Sequence, residues 1–184
     1  MNLVVAVDKN WGIGYKGDLL VRIKADLKNF AVLTRERAVV LGSNTLATFP
    51  GGRILKGRKN IVLNPDPGYA PEGATVAHSI EEAVRLAEEY GSDNVWVIGG
   101  MSIYRQMLPY CSLAFVTRID AEFKADAFFP NLDNDPDWKL IFKGSDCFSS
   151  EGDKLGELKD GTVPEKVGYS FTVYSSVKNG GISK

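Results

Sequence analysis

The sequence is poor in the residues that usually build metal and redox centres. Among 184 residues it has one histidine, His78, and two cysteines, Cys111 and Cys147. The cysteines show no metal-ligand or redox spacing, and a lone histidine cannot complete a zinc site. No G-x-S-x-G is present, nor G-x-x-x-x-G-K-[ST], so neither an α/β-hydrolase nor a P-loop enzyme is indicated. G-x-G-x-x-G is missing as well, which argues against an ordinary Rossmann site. There is no basic block, and the formal net charge is −1, so nothing points to nucleic acid or an anionic membrane surface. No apolar run approaches the roughly 18–20 residues that span a bilayer. The opening MNLVVAVDKN lacks the basic and apolar regions of a signal peptide. Internal repeats and interdomain linkers are also lacking. The location expected from these absences is a reducing cytoplasm.

What is present suits one globular domain. The chain is 44% hydrophobic, and its length allows a real core. One domain is expected over 1–177, with a polar, disordered tail over 178–184. Apolar, β-rich runs read as strands over 3–7, 38–42, 59–64, 74–77, 94–100, 113–119, 137–148 and 166–177. Helices are expected at 24–34, 43–49, 79–90 and 102–108. The third has Ser79 and Glu82 as a capping box and Gly91 as its stop. KNWGIGYKGD (9–18) reads as an irregular glycine-rich segment, and 149–165 as a polar loop. This order predicts a three-layer α/β fold with a mostly parallel central sheet and antiparallel strands added late. Both cysteines are expected as buried thiols. Trp96, Phe115, Phe142 and Phe171 read as core. His78 and Glu81, Glu82, Glu88 and Glu89 read as surface groups.

One residue is out of place. In LLVRIKADLKNFAVL (19–33), Ile23, Leu27, Phe30 and Leu33 recur at helical spacing as an apolar stripe. Asp26 lies three residues after Ile23 and four before Phe30, on the same face. A carboxylate buried there costs several kcal/mol unless it is paired, on the order of any unpaired buried charge. Two readings remain open: a first-turn acid that meets the helix dipole, or a group aimed at a ligand.

Two strand-to-helix turns offer a second clue. VVLG-SNT and VWVIGG-MSIY each pass from an apolar strand through glycine into a helix start. Glycine lets backbone approach a ligand, and free N–H groups at a helix start favour phosphate. Ser43, Asn44, Thr45 and Ser102 add polar side chains there.

VAVDKNWGIGYKGDLL with ADLKNF, then VVLGSNT, GRKNIVL, VIGGMSIY and TRIDAEFKADAFFP, resemble the dihydrofolate reductase family in order and spacing, from Met1 to about Val177. The resemblance implies a central eight-stranded mixed sheet with flanking helices. It also implies hydride transfer from NADPH to C6 of 7,8-dihydrofolate with a proton added at N5, antifolate binding and a monomer. It makes Asp26 the acid that meets the pterin, with Thr117 bonded to it, and Leu19 the loop residue closing over the nicotinamide. The substrate side would comprise Val4, Ala6, Leu27, Phe30, Phe49, Leu55, Ile98 and Tyr104. Arg58 would grip the α-carboxylate of the glutamyl tail. The cofactor side would comprise Ala6, Ile13, Gly14, Leu19, Gly42, Ser43, Asn44, Thr45, Thr48, Leu63, Asn64, Gly99, Gly100, Met101, Ser102, Ile103 and Tyr104. A cis bond is expected between Gly99 and Gly100.

The departures from that pattern are specific. Leu19-Leu20-Val21 stands where the family has Leu-Pro-Trp, so the tryptophan that orders a water near the substrate is missing. Lys24 stands in place of a proline. Ser43 and Ser102 stand where arginines often meet the cofactor's 2′-phosphate, which implies a narrowed NADPH preference. The 149–165 loop is longer than in compact members. Two other functions remain open: a pyrimidine reductase of the same fold, as in flavin synthesis, and a non-enzymatic pterin- or nucleotide-binding relative.

Overall fold

The computed structural model of the chain describes residues 1–178. The expected tail lies outside the described residues except for Lys178. The main sheet has eight strands in one path: β1 (Asn2–Val7), β2 (Ala38–Gly42), β3 (Lys59–Leu63), β4 (Thr75–Ala77), β5 (Val95–Gly99), β6 (Leu113–Ile119), β7 (Trp138–Lys143) and β8 (Gly168–Ser176). Their order across the sheet is β7-β8-β6-β1-β5-β2-β3-β4, and the short strand Cys147–Phe148 also pairs with β8. Pairings from β6 through β4 are parallel, whereas β8 is antiparallel to both β6 and β7. The fold is thus the mostly parallel mixed sheet expected, with its antiparallel strand near the end of the chain.

Among the described residues four α-helices flank it: α1 (Lys24–Thr34), α2 (Ser43–Thr48), α3 (Ile80–Glu89) and α4 (Met101–Met107). Successive residues of β1 point to opposite faces. Leu3, Val5 and Val7 pack with Ala83, Ala87, Ile103 and Met107 of α3 and α4. Val4 joins Leu46 of α2 and Phe30 and Leu33 of α1 on the other face. Every residue of β2 and of β5 is buried, as strands covered on both faces should be. Ser79 caps α3 by accepting the Glu82 N–H at 3.1 Å. Glu82 reaches back to the His78 N–H rather than to that of Ser79. Gly91, at φ 78°, follows the helix. His78 is exposed, as expected. Among the described residues no helix is long and apolar enough to cross a membrane.

The structure corrects several local expectations. The glycine-rich segment 9–18 contains a hairpin, Gly12–Tyr15 against Asp18–Leu19, turned at Lys16 (φ 51°) and Gly17 (φ 81°). Two successive positive φ values match the twist a two-residue hairpin turn requires. The run 137–148 is two strands, because the chain turns away at 144–146. The first of these lies at the edge of the sheet path, so Phe142 is exposed rather than core. Trp96 is buried, while Phe115 and Phe171 are half-buried. Cys111 is buried, and its thiol donates to the Met107 carbonyl at 3.3 Å. Cys147 is only half-buried, since its strand is a two-residue fragment. The polar loop 149–165 is built into the fold. Lys154–Leu155 pairs with Val21–Arg22, and Phe123 bridges to Leu158.

Candidate active site

The stripe on α1 is not a buried face. Ile23, just before the helix, is buried, but Leu27 is 41% exposed and Phe30 and Leu33 are half-buried. An apolar face left half-open beside a sheet is one wall of a cleft. Half-buried Phe49, Ile54 and Leu55 pack against the same cluster as Phe30 and Leu33, together with buried Val4 and Ile98.

Half-buried Asp26 lies in the first turn of α1. The structure thus makes it a first-turn acid. Thr117 on β6, itself 2% exposed, donates its hydroxyl to Asp26 Oδ1 at 2.6 Å. Ala6 on β1 sits opposite Thr117 in the sheet register. Burial raises the Asp26 carboxyl above the ordinary carboxylate range, and the Thr117 hydroxyl pulls it back. Tyr104 is pushed upward by burial and then by the charge of Asp26. Its hydroxyl donates to the Val4 carbonyl at 2.7 Å, so the ring serves as a fixed wall.

Arg58 stands at the other end of α1, roughly 12 Å along the helix from Asp26 at 1.5 Å per residue. Its Nε donates to Thr34 Oγ1 at 2.9 Å and its Nη1 to the Lys56 carbonyl at 2.9 Å. The guanidinium carbon lies 5.9 Å from the Phe30 ring centroid. Burial and then the neighbouring Arg35 lower its pKa, a setting that an anion would relieve.

Sequence reasoning missed two residues that build this end. Thr34 donates its hydroxyl to the Phe30 carbonyl while accepting from Arg58. Asn60 is fully buried; it accepts the Leu55 N–H and donates to the Leu55 and Arg58 carbonyls. It thus fixes the loop that carries both. An amide inside the apolar run of β3 was the available signal.

The two glycine turns lie side by side at the carboxyl ends of adjacent parallel strands, with Leu41 opposite Gly99. That is where open α/β sheets bind ligands. The Gly99–Gly100 peptide is cis. At Gly42 a Cβ would stand 3.0 Å from Ile103 Cγ1, and at Gly100 3.0 Å from Thr45 Oγ1. At Gly99, where φ is 108°, it would stand 2.7 Å from the Tyr104 ring. Only glycines let the two helix starts approach this closely. Neither α2 nor α4 has a side-chain cap at its start. Ser43 Oγ accepts from Asn64 Nδ2 at 2.9 Å, and Thr48 donates to the Thr45 carbonyl at 2.7 Å. Ser102 and Asn44 are exposed, and half-buried Met101 accepts the Phe128 N–H at its sulfur.

Not every expected residue comes to this place in the same way. Leu19 is 53% exposed on the hairpin, with Gly14 opposite it in register. Ile13 and Leu63 pack toward the α3 and α4 layer, with the cluster that holds Trp11 and Ala77. Val21 is buried with Leu20, Ile23, Ile119 and Tyr169, away from the Val4 and Phe30 cluster. Among the described residues no cluster of histidine, cysteine or acid could hold a metal.

A family model described as Dihydrofolate reductase matches residues 1–153. The dihydrofolate reductase of Staphylococcus haemolyticus is 38% identical over 141 residues, covering 77% of this chain and 82% of that protein. That of Bacillus subtilis is 32% identical over 186 residues, covering 98% of this chain and 99% of that protein. Among solved structures, dihydrofolate reductase from Enterococcus faecalis complexed with NADP(H) and RAB-propyl is similar at a TM-score of 0.79 and 29% identity. That similarity covers 96% of this chain and 95% of that one. With its half-buried acid, its arginine one helix-length away and its paired glycine turns, the chain belongs to the dihydrofolate reductase family.

Proposed function

We infer that this chain reduces 7,8-dihydrofolate to 5,6,7,8-tetrahydrofolate with NADPH. The observation that carries the reading is the Asp26 carboxylate, held by Thr117 and, among the described residues, paired with no cation. A pterin brings that partner: its 2-amino group and N3 donate to the two carboxylate oxygens. The cost of placing an acid on an apolar wall is then offset by the ligand rather than by the protein. Leu27, Phe30, Phe49, Leu55, Ile98 and Val4 enclose the rings, and Arg58 takes the tail carboxylate through a charge-assisted bond.

The two glycine turns fit a dinucleotide: without a Cβ they bring two helix starts together at the carboxyl ends of adjacent parallel strands, where N–H groups favour phosphate. Residues Gly42, Ser43, Thr45, Gly100, Met101, Ser102 and Ile103 would hold it. When bound, NADPH supplies the hydride for C6. Leu19 covers the nicotinamide side and excludes water. Asp26 stays ionised on the bound pterin, fixes its orientation and biases N5 toward protonation, and the proton itself arrives through water. The reading includes a monomeric cytoplasmic enzyme, one domain over 1–177 and inhibition by antifolates.

Mixing the protein with dihydrofolate and either nicotinamide cofactor, and following loss of the reduced nicotinamide absorbance, tests this. Oxidation of NADPH dependent on dihydrofolate is expected. Turnover of a flavin-type pyrimidine instead, or binding with no turnover of either, would sink it.

A further inference from the structure

Helix α1 carries Asp26 in its first turn, so whatever seats that turn also places the acid. A helix start has four N–H groups with no intrahelical partner. The residue in the cap position, Ile23, has no acceptor to offer. Instead Asp153 Oδ1, from a segment 129 residues further along, accepts the Lys24 N–H at 2.9 Å. Asp153 Oδ2 accepts the Ser150 N–H at 2.8 Å, which aims the carboxylate. The Lys24 side chain closes the same joint by donating from Nζ to the Glu151 carbonyl at 3.0 Å.

The rest of the long loop is fastened on both sides of this joint. Lys154–Leu155 pairs with Val21–Arg22. Gly156 lies so close to the segment before α1 that a Cβ would stand 2.5 Å from the Leu20 carbonyl oxygen. Beyond it, Glu157 pairs with Lys124 and Lys159 with Glu122. The 149–165 loop and Lys24 are two departures from the family pattern, and they answer each other. A proline at position 24 would have no N–H to give.

We propose that Asp153 is a positioning residue for the reduction: it caps α1 from the far end of the chain and so fixes where Asp26 stands against Thr117 and the substrate. The role rests on the reductase activity proposed above. It acts through one backbone N–H, and that makes it separable. Lys24→Pro removes the same bond, together with the side-chain bond to Glu151, while leaving a good helix start, because proline suits the first helical position. The preceding Ile23, at φ −85° and ψ 120°, already has the extended backbone that a following proline requires.

The full chain is tested as wild type, Asp153→Ala, Asp153→Asn, Lys24→Pro and the Asp153→Ala/Lys24→Pro double variant. Melting curves and NADPH affinity by fluorescence are measured alongside steady-state kinetics. Loss of a cap implies that Asp153→Ala and Lys24→Pro each lower kcat/KM for dihydrofolate by roughly three- to tenfold. NADPH affinity should stay within about twofold, since its turns lie at α2 and α4, and Asp153→Asn, which keeps only one of the two acceptor oxygens that Asp153 uses, should fall between wild type and Asp153→Ala. The double variant should fall no further than either single one. Asp153→Ala with kcat/KM within about twofold of wild type, whatever its melting temperature, overturns the role. So does a loss in the double variant equal to the product of the two. If Asp153→Ala does not fold, Lys24→Pro decides alone: an unchanged kcat/KM overturns the role. Absence of wild-type turnover would instead overturn the reductase reading itself.

Discussion

Thr117 Oγ1 and Asp26 Oδ1 stand 2.6 Å apart and act on the acid in opposite senses to its surroundings. Burial raises the Asp26 pKa, and the Thr117 hydrogen bond lowers it, with burial the larger effect. The free protein therefore holds a carboxylate that the Thr117 hydroxyl only partly compensates for its burial.

That arrangement has a sign in stability. An acid whose folded pKa lies above its unfolded value favours folding when protonated, and that contribution is lost as pH rises through the folded pKa. Asp26→Asn removes the charge and keeps the shape and the acceptor for Thr117. At neutral pH the ligand-free variant should melt higher than wild type, and the difference should shrink as pH falls toward the ordinary carboxylate value of 3.8. Turnover at neutral pH should fall by about 10²–10⁴-fold, with NADPH still bound. Some activity should return in acid, where a protonated substrate needs less help. Near-normal kcat at neutral pH together with a lower melting temperature would reduce Asp26 to a helix-start residue.

Much of this was legible in the sequence. The periodicity of α1 and α3, the apolar runs of β2 and β5 and the glycine turns are local signals, and the structure follows them closely. Asp26 was legible because it breaks a pattern. What was not legible depends on pairing across the chain. Phe142 looked like core because its strand is apolar, but edge position decides burial and no local signal gives it. The stripe on α1 looked buried because periodicity cannot tell a core wall from a cleft wall. The order in 149–165 comes from Lys154–Leu155 meeting Val21–Arg22, a partnership that composition hides.

At the far end of α1, Arg58 is held by Thr34 and the Lys56 carbonyl, over the Phe30 ring. Arg58→Leu keeps the packing against Phe30 and removes the charge. A hydrogen bond to a charged group is worth about 1.5–3 kcal/mol, or roughly 10- to 150-fold. Dihydrofolate and antifolates carrying a glutamate should lose affinity on that scale, and pterin analogues without the tail should lose little. Equal losses in both classes would make Arg58 structural.

The two glycine turns carry hydroxyls where the resemblance implies arginines. Ser43 is bonded to Asn64 and Ser102 to Gln106, so neither is a cation for a 2′-phosphate. NADPH should still be preferred over NADH, but by a smaller ratio of kcat/KM than in relatives with both arginines. Ser102→Arg, at an exposed position on α4, should widen that ratio by about tenfold, the low end for a charge-assisted bond to phosphate. A preference for NADH in the wild type would contradict this account of the turns.

Val21 stands where the family has tryptophan, and its surroundings argue against putting the tryptophan back. It is 7% exposed, packed with Leu20, Ile23, Ile119 and Tyr169, and its backbone pairs with Leu155 of the long loop. The space an indole would need is already filled, and overpacking of this kind costs about 1–3 kcal/mol. For a chain of this size that lowers Tm by roughly 2–12 °C. Because Val21 lies between Leu19 and the start of α1, the strain should also reach the acid. Val21→Trp should therefore melt lower and show a reduced kcat/KM for dihydrofolate, rather than gain the water contact that the resemblance implies for a tryptophan there. A Val21→Trp variant with unchanged Tm and improved kcat/KM would mean that the indole enters the cleft, and that Val21 is a missing ligand contact rather than a settled part of the core.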